Sequence, residues 1–171
     1  MKGFIPVDIP TKTYIKAYII AQLGEKPVMN QQHWIGCKLY DLLQHKVNER
    51  KEEYSNTRYK CILRIYINKH IFKTRGANLN ETNLKNFNNH VEKKIKERFY
   101  ELMDDRIEIL PSFTSNLPDV RKKLGIDIEA WDDDSMRKDY YRHRLEAGLA
   151  PLYKKNYSRI VPSGAYANLA F

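Results

Sequence analysis

No disulfide framework can be built from this chain, because its 171 residues include only two cysteines, Cys37 and Cys61. Both stand among apolar neighbours, so free, buried thiols in a reducing compartment are expected. The seven glycines and seven prolines are scattered, which leaves neither a glycine-rich phosphate loop nor a low-complexity tract. Apolar runs are short. None approaches the roughly 20 residues of a membrane-spanning helix, and Met1–Pro6 lacks the long apolar stretch of a secretory leader. Acidic charge is scarce too, with 21 Asp and Glu against 30 Lys and Arg for a net +9. Together these absences predict a basic cytoplasmic protein, free or carried in a virion, with no membrane partner. A positive field of that size attracts polyanions.

What is present suffices for a core: 42% of residues are hydrophobic and 12% aromatic, too many for a disordered chain. Phe4–Ile9, alternating between Pro6 and Pro10, reads as an edge strand or arm, because proline donates nothing to a ladder. Thr11 or Thr13 is placed to cap a helix running to Leu23, which Gly24 stops. A second helix is expected over Trp34–Val47, fraying into the polar run Asn48–Asn56. From Tyr59 to Phe72 the period changes to two, with Cys61, Leu63, Ile65 and Ile67 on one face. That is a strand with one side buried. Asn80 or Thr82 starts the longest helix, to about Met103, with Leu84, Phe87, Val91, Ile95, Phe99 and Leu102 in one stripe. Ile107–Leu110 reads as a further short strand before Pro111.

The C-terminal third differs in character. Asn116-Leu117-Pro118-Asp119 predicts a helix entry, with the proline in an early position. That helix runs through Leu124 to Gly125, and Ile126–Trp131 forms a linker. Asp132, Asp133, Asp134 and Ser135 then supply N-terminal chemistry for a helix from Met136 to about Glu146. An aromatic, turn-rich tail follows and is expected to wrap back on the body. The predicted class is α+β: a small antiparallel sheet packed by three helices over 1–112, a small helix-turn-helix-like module over 113–148, and a tail over 149–171.

Two constellations point to nucleic acid. The first is the predicted basic helix. Arg137, Tyr141 and Arg144 share one face at helical spacing, Lys138 and Arg142 lie beside it, and Met136 and Tyr140 face inward. Arginine suits both guanine and phosphate contacts. An ordinary amphipathic helix with a solvated face fits the same pattern, and the linker is longer than the 3–4 residues usual in a helix-turn-helix. The run VRKKLGIDIEAWDDDSMRKDYYRHR resembles C-terminal segments of small DNA-associated proteins from phages and mobile elements of Bacteroidetes. That resemblance implies homeodomain-like DNA binding by the Met136–Arg144 helix.

The second constellation is the strand region. Between Tyr54 and Asn80 no acid occurs, while Arg58, Lys60, Arg64, Lys69, Lys73 and Arg75 all fall there, interleaved with Tyr59, Tyr66 and Phe72. Such a surface can neutralise phosphates and stack bases; it equally describes a sheet edge guarded against aggregation by lysine and arginine. Residues 1–110 hold 20 Lys and Arg against 13 acids, and residues 111–171 hold 10 against 8. The charge therefore sits mainly in the body.

Catalytic patterns are weak. Asp132–Asp134 suggests a helix cap sooner than a metal cluster. Tyr140-Tyr141 lacks the constellation that activates a nucleophilic tyrosine, and His33 with Cys37 has no second zinc-type pair. The expectation is a non-enzymatic DNA-binding accessory or regulator of a phage or mobile element, without cofactor or metal, for which DNA is favoured over RNA. Arg137, Lys138, Tyr141, Arg142 and Arg144 are its expected contacts, with Arg64, Lys69, Lys73 and Arg75 adding phosphate affinity. A homo-oligomer or a structural component of a phage particle, docking through its aromatic tail, is the alternative.

Overall fold

The computed structural model describes residues 3–45, 59, 61–150 and 152. Among them lie two strands, β1 (Phe4–Thr11) and β2 (Cys61–Asn68), and six helices. The helices are α1 (Thr13–Leu23), α2 (Trp34–Leu42), α3 (Lys69–Arg75), α4 (Glu81–Ile109), α5 (Phe113–Leu124) and α6 (Asp133–Glu146). The class is α+β, as the residue periods predict.

β1 and β2 pair antiparallel, with Val7 opposite Ile65 and Ile9 opposite Leu63. The alternation divides the ribbon cleanly. Val7, Ile9 and Thr11 of β1 and Leu63, Ile65 and Ile67 of β2 are buried, whereas Asp8 and Arg64 face solvent. Tyr66 turns its backbone away from β1: its N–H donates to Pro27 O at 2.9 Å, and its carbonyl accepts from Met29 N at 2.8 Å. Pro6, opposite Tyr66, therefore turns its own nitrogen toward the free edge, where no donor is needed. Pro10 has the same parity, so both prolines blunt the outer edge of the ribbon.

Helix α4 is 29 residues long, about 43 Å at 1.5 Å per residue, and its buried stripe runs from Leu84 to Ile107. One polar residue interrupts the stripe. Asn88 accepts a 2.6 Å hydrogen bond from Thr11 Oγ1 and donates to Pro10 O and Leu84 O, so this buried amide is fully partnered. Helices α1 and α2 pack on the N-terminal part of α4 with the sheet, and α5 and α6 pack on the rest. Phe113, Val120, Trp131, Met136 and Tyr140 belong to the same continuous core as Ile9, Ile65 and Phe87.

Several boundaries differ from the expectations. The strand expected to reach Phe72 ends at Asn68, opposite Phe4, where β1 itself begins. With no partner left, Asn68 Oδ1 accepts His70 N at 2.8 Å and starts α3. Ile107–Leu110 is no strand: the last turn of α4 continues to Ile109, and Leu110 N donates to Arg106 O. Helix α2 stops at Leu42, because Gln44 leaves it to exchange backbone bonds with Asn78. Neither threonine caps α1; Lys12 is its N-cap residue without a side-chain bond, and Thr11 turns to Asn88 instead. Helix α5 starts at Phe113 under a Ser112 cap, which puts Pro118 inside it. Cys37 is exposed and Cys61 half-buried, both free. The polar run at 48–56, Arg58, Lys60 and the tail from Tyr153 lie outside the described residues.

Gly36 marks a contact with no room to spare. A Cβ there would sit 1.9 Å from the Asn30 carbonyl oxygen, in a turn that Asn30 Oδ1 holds by accepting Gln32 N and His33 N. Gly36→Ala should therefore lower unfolding stability by about 1–3 kcal/mol in a urea titration. An unchanged midpoint would contradict this packing of α2.

Candidate nucleic-acid interface

Of the strand-region cations, Arg64, Lys69, Lys73 and Arg75 lie among the described residues, on β2 and α3. Arg64 stands on the outer face of the ribbon and grips Asp8 through a two-pronged ion pair, Nε to Oδ1 and Nη2 to Oδ2 both at 2.8 Å. Its hydrogen bond and charge hold the Asp8 carboxyl below the usual carboxylate range. Both side chains are well exposed, at 63% and 44%, so the pair adds little to stability and is open to exchange. Lys69 and Lys73, four apart on α3, are exposed, and no acid lies on that helix. Between them Phe72 is 40% exposed. Arg75, though exposed, is directed toward α2: Nη1 donates to Tyr40 O at 2.8 Å and lies 3.6 Å from Asp41. Of the interleaved aromatics, Tyr66 is half-buried on the outer ribbon face, while Tyr59 packs against the core.

The α6 cations are distributed differently. Met136 and Tyr140 face inward as their spacing predicts, both fully buried. Tyr140 sits edge-on to Phe99 and donates its hydroxyl to Asp104 at 2.5 Å. Burial, then that carboxylate, pushes the phenol up. Arg144 is an internal clasp: its guanidinium donates to Ala150 O and to Tyr140 Oη, lies 3.6 Å from Asp104, and is only 14% exposed. Tyr141 packs toward Phe113. Arg137 lies over the Phe113 ring at 5.8 Å and 3.6 Å from Asp134. Lys138 and Arg142 remain exposed, Arg142 3.5 Å from Asp139.

A chain of charges ties this helix to the body. Lys96 of α4 reaches Asp139 at 2.8 Å and Glu92 at 3.5 Å, and Glu92 takes Lys12 at 2.5 Å. Burial raises the Glu92 carboxyl, but hydrogen bonds from Lys12 and Tyr14 outweigh it and hold the group below its ordinary value. Tyr100 donates to Asp139, and burial followed by that charge pushes its phenol up. Two adjoining hollows, about 410 and 260 Å³, open on either side of Lys96. In the first, Lys93 and Lys96 are matched by Glu92 and Glu97, whereas the second sets Lys96, Lys138 and Arg142 against Asp139 alone.

The two basic regions do not merge. α3 is held to the start of α4 by way of α2, where Arg75 meets Tyr40 and Asn83 Nδ2 donates to Leu42 O. α6 docks at Lys96 to Asp104, roughly 20–30 Å further along at 1.5 Å per residue. Their charge also differs. Helix α6 carries Arg137, Lys138, Arg142 and Arg144 against Asp133, Asp134, Asp139 and Glu146 and is neutral, with three more acids, Asp127, Glu129 and Asp132, just before it.

Those carboxylates have structural partners. Asp132 Oδ1 accepts Ser135 N at 2.8 Å as the N-cap, and Asp133 meets Arg121. Arg121 is the residue the sequence reading missed. Its guanidinium, 12% exposed, makes five hydrogen bonds, to Ile126 O, Asp127 O, Trp131 O and twice to Asp133 Oδ1. It folds the linker of 125–132 onto the end of α5. No local motif marks such a clasp; its acceptors are mostly backbone carbonyls. His33 and Cys37 do not converge: His33 Nδ1 accepts Ile35 N at the start of α2, while Cys37 Sγ contacts Gln31 O.

Searches of protein-family models, curated proteins and solved structures find no match to this chain. Among the described residues no helix is long and apolar enough to cross a membrane.

Arg121→Ala leaves several carbonyls and a carboxylate without their partner, and should cost about 2–4 kcal/mol of stability. Arg121→Lys should recover less than half of that, since an ammonium cannot span the fork. Denaturant unfolding measures both. A loss below about 1 kcal/mol for the alanine variant would show that the linker holds without the clasp.

Proposed function

We propose that this chain is a non-enzymatic DNA-binding accessory or regulatory protein that holds DNA by its phosphates through the β2–α3 surface. The observation that carries the reading is the acid-free stretch in which Lys69 and Lys73 stand exposed with no ion-pair partner among the described residues. Cations not neutralised by neighbours are the ones that release counterions from a nucleic acid on contact. Arg64 joins them by exchanging Asp8 for a phosphate. Arg75, turned toward Tyr40 and Asp41, adds field more than contact. On α6, Lys138 and Arg142 contribute at the margin, whereas Arg144 and Tyr141 are engaged internally and leave the contact set. The phage or mobile-element setting rests on the resemblance of the C-terminal segment alone.

A second reading keeps α6 as the recognition helix of a helix-turn-helix, with Arg137 as a further contact. It is favoured by the exposure of Lys138 and Arg142 one turn apart. It is weakened by the neutral charge of the helix and by its acidic entrance, which repels phosphates. The assembly-protein reading draws on Ile109 and Leu145, apolar side chains 83% and 80% exposed, which suit a protein partner.

Fluorescence anisotropy across a salt series, with single-stranded and duplex DNA as probes, separates these. Wild-type affinity should fall steeply with salt. Lys69→Gln with Lys73→Gln should weaken binding to the preferred probe and reduce the log–log salt slope by about 1.8 on a duplex or about 1.4 on a single strand, for two lost contacts. A larger effect from Lys138→Gln with Arg142→Gln would transfer the site to α6. No binding of either probe at low salt, with a defined oligomer in sedimentation, would replace DNA binding by the assembly role.

A further inference from the structure

The outer face of the β1–β2 ribbon says which form of DNA this surface takes. Opposite pairs on that face are Pro10 with Ile62, Asp8 with Arg64, Pro6 with Tyr66, and Phe4 with Asn68. Ile62 is 58% exposed, Asp8 and Arg64 are exposed, and Phe4 and Tyr66 are half-buried. Phe4 and Tyr66 are diagonal neighbours, within reach of one another's rings across an antiparallel pair. At the Phe4 end the chain passes directly into α3, where Lys69 N donates to Gly3 O at 3.0 Å. Phe72 and the two exposed lysines thus follow on α3, just beyond the end of the ribbon.

We infer that this face is a stacking platform for single-stranded DNA, an inference that rests on the DNA-binding reading above. Two-stranded ribbons also enter the duplex major groove, but there they read base edges with side-chain donors and acceptors. The centre of this face offers little of that kind. Its one cation, Arg64, lies across a carboxylate, and around the pair stand two prolines, an isoleucine and two aromatic rings. Such a face presents π and apolar surface to unstacked bases, which a closed duplex does not offer. Lys69 and Lys73 at its margin, and Arg64 once released from Asp8, are placed to follow the phosphates of a single strand. Aromatic platforms beside a basic track are the usual means of holding single strands without sequence preference. α3, about 10 Å long at 1.5 Å per residue, is too short to serve as a groove-reading helix.

The test compares a 20-nucleotide dT strand with a 20-bp duplex by anisotropy in one buffer. The single strand should bind at least tenfold more tightly. Tyr66→Ala should weaken dT binding about fivefold or more while leaving the residual duplex affinity within twofold. Tyr66→Phe, which keeps the ring, should retain the wild-type value and so separates loss of stacking from loss of fold. Phe72→Ala, at an exposed position, should act in the same direction as Tyr66→Ala. Equal or tighter duplex binding, or wild-type dT affinity in both alanine variants, would overturn the platform while leaving the DNA-binding reading standing. Failure of both probes to bind would remove the two together.

Discussion

A helix of 29 residues with a buried stripe running most of its length cannot keep that stripe in water, and the rest of the fold is arranged by the need to cover α4. The stripe is too long for any one partner. The ribbon, α1 and α2 cover its first half, and α5 and α6 fold back over the second. Asn88 sets where the ribbon sits, because its amide is satisfied only when Thr11 and Pro10 lie against it. Phe99, fully buried, does the same for the C-terminal half, meeting Trp131 and Tyr140 at centroid distances of 5.4 and 6.0 Å.

This arrangement decides which charges are left for a partner. Docking α6 brings its basic side chains over the acids of α4, so that Arg144 and His143 approach Asp104. Lys96, in turn, meets Asp139. These contacts orient the helix, whose own charges sum to zero. At the other end, β2 turns straight into α3 with no acid on either element, and among the described residues only Asp8, facing Arg64, and Asp41, facing Arg75, pair with its cations. The proposed polyanion contact is assigned to β2–α3 on that ground.

Much of the fold was legible in the residue periods. Alternation along Cys61–Ile67 and the stripe from Leu84 to Leu102 show their elements because burial selects side chains at the period of the backbone. The inward positions of Met136 and Tyr140 followed from the same rule. What escaped depends on partners distant in sequence. Thr11 looks like a helix cap until Asn88, 77 positions away, accepts its hydroxyl. Lys69–Phe72 continues a strand pattern until the partner strand runs out at Phe4. Arg144 reads as a free cation in a basic run, because nothing nearby announces Asp104. The division of the candidate cations into exposed and engaged ones was therefore invisible, although each of those cations had been named.

The most direct test of the proposed interface is an amide-resolved NMR titration of the protein with a short dT strand. The account predicts shifts concentrated in 61–75 and around Phe4, with the amides of Lys138 and Arg142 little moved. Shifts clustered on 133–146 with the β2–α3 amides unchanged would contradict it and return the interface to α6.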